Sequence, residues 1–203
     1  MQASELFNQP NTILLDGGMG TMLQAAGMKL GTRPEDLNIE NPELIRSIHA
    51  KYAAAGSRVV NANTFGASPH KLADSKYTLE EVITAGIANC KQAVAPYGAL
   101  VTLDVGPLGE LLEPSGTLAF EDAVAEYGRI VRAGVAAGAD ILYFETFTDL
   151  YEMKAALLAA KENSTLPIMA SMSFEANGRT FTGCTVESFA ATARGLGANA
   201  VGI

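Results

Sequence analysis

Six short apolar runs, separated by helical stretches, constrain this chain more than any other feature. They are Thr12–Leu15, Arg58–Ala62, Leu100–Leu103, Ile141–Phe144, Ile168–Ser171 and Ala200–Ile203. Each is continuous rather than alternating, and rich in β-branched residues. That pattern predicts strands covered on both faces, as in a parallel sheet.

The stretches between them carry helix signals. Pro42–Ala55 follows Asn41, a capping residue, with Pro in the first helical position, and stops at Gly56. Leu79–Ala95 is ended by Pro96, and Phe120–Ala137 by Gly138. Leu150–Lys161 follows Asp149, Val186–Leu196 follows Thr185, and a short helix is expected after Gly20, through Ala25. Strand and helix in alternation predict βαβ units and a parallel sheet.

An open doubly wound sheet and a closed barrel both satisfy this alternation. The strand ends favour the barrel. Nearly every strand runs into polar or turn-forming residues: Asp16-Gly17-Gly18, Asn61 to Gly66, Asp104-Val105-Gly106-Pro107, Glu145-Thr146 and Ser173-Phe174. A barrel gathers many strand ends at one site, whereas a doubly wound sheet uses few of them at a switch point. The expected fold is therefore α/β, of (β/α)8 TIM-barrel type. A full barrel takes about 250 residues, and this chain supplies about six units. Residues 1–203 are read as one domain, the N-terminal part of a barrel. Gly106 to Leu118 reads as a loop at the barrel top. Two open sheet edges would invite pairing with another chain, hence an oligomer.

Composition excludes several function classes. The charge is -8 and the 14 Lys plus Arg residues are scattered, so no basic stripe addresses nucleic acid or an anionic membrane. No apolar run reaches the roughly 18 residues of a membrane span, and Met1 to Pro10 lacks the layout of a signal peptide. Cys90 and Cys184 form no spacing motif. A reduced, cytoplasmic location follows as the expectation.

Two features point to chemistry. Asp16-Gly17-Gly18-Met19-Gly20 puts three glycines in five residues before a helix, so backbone N–H groups can approach an anion closely. Asp16 adds a carboxylate beside them, a pairing that suits a zwitterion such as an amino acid. A tight turn with a capping Asp explains the same residues. Glu145 ends the apolar run Ile141-Leu142-Tyr143-Phe144, so it needs a cation or a donor. A substrate ammonium or a structural ion pair would serve. Asn61, Asn63 and Thr64 could orient substrate or tie loops together. His49 lies inside a helical stretch and reads as structural or exposed. His70 could line the mouth or simply start a helix. Cys90 reads as a small buried hydrophobe, and Cys184 could approach the site. No catalytic residue and no metal ligand is assigned.

These residues resemble a known family. Ile13 to Met22 is similar to the opening of homocysteine S-methyltransferase domains, and Asn63-Thr64-Phe65-Gly66-Ala67-Ser68 to their second-strand motif. Phe144-Glu145-Thr146 with Asp149-Leu150 resembles the fourth, and Gly178-Arg179-Thr180 with Gly183 the segment after the fifth. Arg33-Pro34-Glu35-Asp36-Leu37-Asn38 and Asp104 to Gly109 look most like the N-terminal module of the cobalamin-dependent methionine synthase branch. The betaine-using branch matches less well.

The resemblance implies a (β/α)8 barrel that binds homocysteine and holds its sulfur on zinc as a thiolate, the nucleophilic form. The thiolate would accept a methyl group, from a corrinoid on another module, to give methionine. Asp16 and Glu145 would meet the substrate ammonium, and the backbone of Gly17, Gly18, Met19 and Gly20 its carboxylate. The family's zinc cysteines follow the sixth and eighth strands, positions this chain does not reach. The chain by itself is thus expected to be inactive. Two alternatives remain: a non-catalytic ligand-binding or assembly fragment, and an unrelated TIM-barrel lyase or aldolase.

Overall fold

A computed structural model describes residues 3–29 and 31–203. Its centre is a five-stranded sheet, all parallel, in the order of the sequence: β1 (Val59–Asn61), β2 (Leu100–Val105), β3 (Ile141–Phe147), β4 (Ile168–Met172) and β5 (Ala200–Gly202). Sequential order leaves no switch point, so the doubly wound alternative is excluded and the barrel-type arrangement, here incomplete, stands.

Helices cover one face. After α1 (Ala3–Leu6), α2 (Met19–Ala25) and α3 (Leu37–Glu40) come the longer α4 (Pro42–Ala54), α5 (Leu79–Val94), α6 (Phe120–Ala137), α7 (Leu150–Asn163) and α8 (Val186–Gly195). Their starts follow from capping. Asn41 accepts from the Leu44 N–H, Asp149 from those of Tyr151 and Glu152, and Thr185 from that of Ser188. Thr78 and Glu81 form a reciprocal capping box on α5. Val60, Val101, Leu103, Leu142, Phe144 and Ala170 of the strands pack outward against these helices and form the main core.

The opposite face is the barrel interior, and it is layered. At the N-terminal ends of the strands, Val59, Leu100, Ile141 and Met169 make an apolar floor, closed from below by Leu6 of α1. Two residues further along each strand the layer is polar. There the Thr102 hydroxyl donates to Asn61 Oδ1 at 2.8 Å, and Tyr143 Oη lies 3.0 Å from Ser171 Oγ. Two residues further still, β2 and β3 present Asp104 and Glu145. The period of two along each strand produces this gradient from floor to mouth.

One expected strand is reduced to a single bridge. Thr12–Leu15 runs extended but pairs only through Leu15 with Val59. The Leu14 carbonyl accepts the Arg58 N–H at 2.8 Å, and one residue past the bridge the Asp16 side chain takes over the ladder by accepting the Asn61 N–H at 3.0 Å. A carboxylate thus replaces the next backbone carbonyl, which ends the pairing. Leu14 is exposed there, as are Val201 and Ile203 at the far margin of the sheet. The other elements differ from expectation by a few residues at most, apart from the 3₁₀ turn Pro34–Asp36 and the short α1 and α3, which carry no long periodic pattern. No helix among the described residues is long and apolar enough to cross a membrane.

Candidate active site

A cavity of about 190 Å³ opens at the C-terminal ends of the strands, lined by Asp16, Gly17, Gly18, Met19, Asn61, Ala62, Asn63, Phe65, Asp104 and Glu145. Most of the residues singled out from the sequence meet here. Asp104, named there only as part of a strand end and a loop, meets them too.

The glycine turn is shaped by contact. A Cβ on Gly17 would lie 3.0 Å from the Tyr52 ring, whose hydroxyl donates to the Gly18 carbonyl at 3.2 Å. Tyr52 of α4 therefore holds the turn against the mouth. Gly18 caps α2 with no side-chain hydrogen bond to the first turn. Met19 lines the cavity, while Gly20 sits one residue inside α2, outside the lining.

Asp104 is buried and Asp16 half-buried, and one oxygen of each, Oδ1 in both cases, is shielded from solvent and lacks any donor. Burial pushes the Asp16 carboxyl up to about 7, opposed by the hydrogen bond from the Asn61 N–H and reinforced by the Glu145 charge. Asp104 is only 6% exposed. Burial holds it well above the usual carboxylate range, and the charges of Glu145 and Asp16 add to that. Glu145 is raised as well, again chiefly by burial. No salt bridge among the described residues reaches any of the three.

A distortion of β3 aims Glu145. Phe144 pairs with Ala170 and Phe147 with Met172, so β3 carries one residue more than β4 between these points. Thr146 adopts φ 56, a left-handed conformation that a β-branched residue takes only under constraint. Its N–H donates to Ser171 Oγ at 3.1 Å, and Ser171 is in turn beside the Tyr143 hydroxyl. The bulge lets Phe144 and Phe147 both enter the helix-side core while Glu145 lines the cavity.

Asn63 and Thr64 are placed differently. Thr64 Oγ1 accepts the Asp104 N–H at 3.1 Å and donates to its carbonyl at 2.8 Å, outside the cavity lining. It fixes the end of β2 rather than facing a ligand. Asn63 lines the cavity, but its Nδ2 donates to the Pro34 carbonyl and Asn38 Oδ1. Asn38 is buried and donates to the carbonyls of Asn63 and Val82, while its own carbonyl accepts from Asn89. Glu35 Oε1 accepts the Gly66 N–H at 2.7 Å. The segment Arg33–Asn38 is thus the brace of the β1 loop, a role invisible until the strand is placed.

The remaining candidates lie elsewhere. His49 is fully buried in α4 with neither ring nitrogen partnered, and burial lowers it to about 4. His70 sits 3.0 Å from Glu126 and 3.8 Å from Glu110. Cys90 is buried on α5, its thiol 3.8 Å from the Val60 carbonyl. Cys184 lines a separate cavity beside Asp149 and Thr182. Among the described residues no three His, Cys, Asp or Glu side chains are grouped to hold a metal, so these residues do not fit the thiolate zinc site that the resemblance implies.

Comparison with known proteins agrees with this fold. A methionine synthase of Mycobacterium tuberculosis is 27% identical over 206 residues, covering 93% of this chain and 17% of its own length. The chain thus spans under a fifth of that relative. Among solved structures, the metallated form of the homocysteine methyltransferase MmuM from Escherichia coli superposes with a TM-score of 0.85 at 24% identity, covering 97% of this chain and 75% of that one. Its apo form gives 0.76 with 97% and 73% covered. At that identity the likeness establishes the fold. The sequence model described as "Homocysteine S-methyltransferase" matches residues 13–203, and the chain belongs to that family.

Proposed function

We propose that the cavity holds the amino-acid end of homocysteine, and that the domain presents this substrate for methylation at sulfur. The observation that carries the reading is the trio Asp16, Asp104 and Glu145, gathered around a small cavity with no basic partner among the described residues. Buried carboxylates without a cation are costly, and a ligand ammonium would relieve that cost through charge-assisted hydrogen bonds. The backbone of Gly17 to Gly20, beside the uncapped start of α2, would take the carboxylate end. Asn61 and Asn63 complete the wall.

The likeness to methionine synthase supports a corrinoid on another module as methyl donor and methionine as product. A thiol is a weak nucleophile until it becomes a thiolate. Neither Cys90 nor Cys184 stands where it could assist that change, so the sulfur-activating groups are assigned outside this set of residues.

Calorimetry with L-homocysteine tests the reading. Asp16→Ala and Glu145→Ala should each weaken binding by roughly 10- to 100-fold, the effect of one hydrogen bond to a charged group. Affinity unchanged in both variants would sink it.

A further inference from the structure

We infer that Asp104 and Glu145 hold one proton between them in the empty site, and that entry of a ligand ammonium expels this proton to solvent. The inference rests on the substrate reading above and adds a linkage to it.

Three observations on the geometry lead there. Asp104 is almost wholly buried at the end of β2, yet lines the cavity, and no donor reaches its Oδ1. The Glu145 carboxyl lines the same cavity, and its charge adds to the effect of burial on Asp104. Two carboxyl groups bond each other only when one carries a proton, because an ionised carboxylate has acceptors alone. The groups that face the pair make the proton more necessary. Asp16 comes from the turn before α2, Glu35 from the brace segment, and the Tyr143 hydroxyl from β3, and none of these is a cation. Cys90 on α5 feels the Asp16 charge and is itself held protonated by burial. Burial raises both members of the pair in the empty site. An ammonium placed among them reverses the balance, since a nearby positive charge favours the ionised carboxylate.

The step balances simply. The O–H bond of the shared carboxyl breaks, the proton passes to water or buffer, and the ammonium keeps all of its own hydrogens. The pair gains one negative charge as the cation arrives, so the charge of the pair and ammonium together equals that of the pair in the empty site. A ligand without an amino group offers no such exchange.

The experiment uses L-methionine, whose sulfur carries no proton, so that any proton released comes from the protein. Calorimetric titrations in phosphate and in Tris, at one pH near neutrality, read the protons exchanged from the difference in heat. The expected result is release of roughly one proton per methionine, with apparent Kd tightening up to about tenfold per pH unit rise in the same range. 4-(Methylthio)butanoate, which lacks the amino group, should release none. Methionine binding with equal heats in both buffers and no pH slope would overturn the linkage while leaving the substrate reading intact. Absence of any methionine binding would overturn the substrate reading itself. An infrared difference spectrum supplies a second measurement that needs no ligand. The protonated-carboxyl band of the wild-type chain should be diminished in Asp104→Asn, and a band unchanged in a folded variant would place the proton elsewhere and refute the pair.

Discussion

The floor and the mouth of the barrel interior are built from the same strands, four residues apart, and they are opposites. Leu100 and Ile141 end in hydrocarbon closed off by α1, whereas Asp104 and Glu145 end in carboxylates without a basic partner. Both places lie on the same parallel strands, regular at the floor and bulged in β3 at the mouth. The contrast teaches where this fold keeps its stability and where it gives some up. Apolar burial at the floor contributes favourably, while each buried carboxylate at the mouth costs energy that only a ligand returns.

The comparison can be broken from the floor. Ile141→Ala should lower stability by about 2–5 kcal/mol through loss of burial and a residual cavity. A shift of the urea midpoint with unchanged m-value is the measurement. Next comes the brace. Asn38→Ala strands the partners of a buried amide and should cost about 2–4 kcal/mol. Because Asn38 holds Asn63, methionine affinity should fall with it, which a floor variant should not reproduce.

Acid sharpens the contrast. His49 is lowered from 6.5 to about 4 by burial alone, so the unfolded chain binds the extra proton more readily. Its contribution is fully present above pH 6.5 and is lost as pH falls toward 4, reaching about 3 kcal/mol. Asp16 runs the other way. Its carboxyl is raised from 3.8 to about 7, so stability is fully present below 3.8 and lost as pH rises through 7. Chemical denaturation of His49→Leu across pH 4 to 7 should therefore show less acid loss than wild type. Equal acid loss in both would remove His49 from the account.

Smaller effects belong to the mouth. Ser171→Ala removes the acceptor of the Thr146 N–H and should cost on the order of 1 kcal/mol, with methionine affinity weakened several-fold. Asp16→Asn should stabilise the fold at pH 7.5 by about 1 kcal/mol, discounted for its partial exposure, while weakening binding. Loss of stability in that variant would mean that the carboxylate is compensated in the empty site after all.

Much of this was legible in residue order alone. Caps and stops at Asn41, Thr185, Gly138 and Pro96 bound the helices to within a residue or two, because capping is local chemistry. Asp16 and Glu145 stood out as acids at the ends of apolar runs. Asp104 carried a similar signal, an acid closing a strand, and counting in twos from Leu100 places it on the inner face. What the order could not reveal was which face is inner, since that depends on where the helices pack. Thr64 shows the same limit from the other side. Its motif suggested a ligand contact, yet its hydroxyl is spent on the Asp104 backbone, a partner 40 residues away. The short pairing of Thr12–Leu15 was unreadable for a similar reason: a side chain, not a backbone group, ends that ladder.

The extra residue in β3 has a consequence for how this site tolerates change. An ordinary strand assigns residues to its two sides by odd and even number, so a lengthening or shortening by one would exchange the sides beyond that point. By resetting the count at Thr146, the chain places an acid at the mouth and returns an aromatic ring to the core three residues after the last one. Straightening the bulge with every residue retained should turn Phe147 toward the cavity and leave Thr146 at the core. Glycine at 146 would accept the backbone angle readily but would also free the hinge on which Glu145 swings. The aim of that carboxylate is therefore a matter of counting as much as of chemistry, and a graft of this mouth onto another barrel would have to carry the miscount with it.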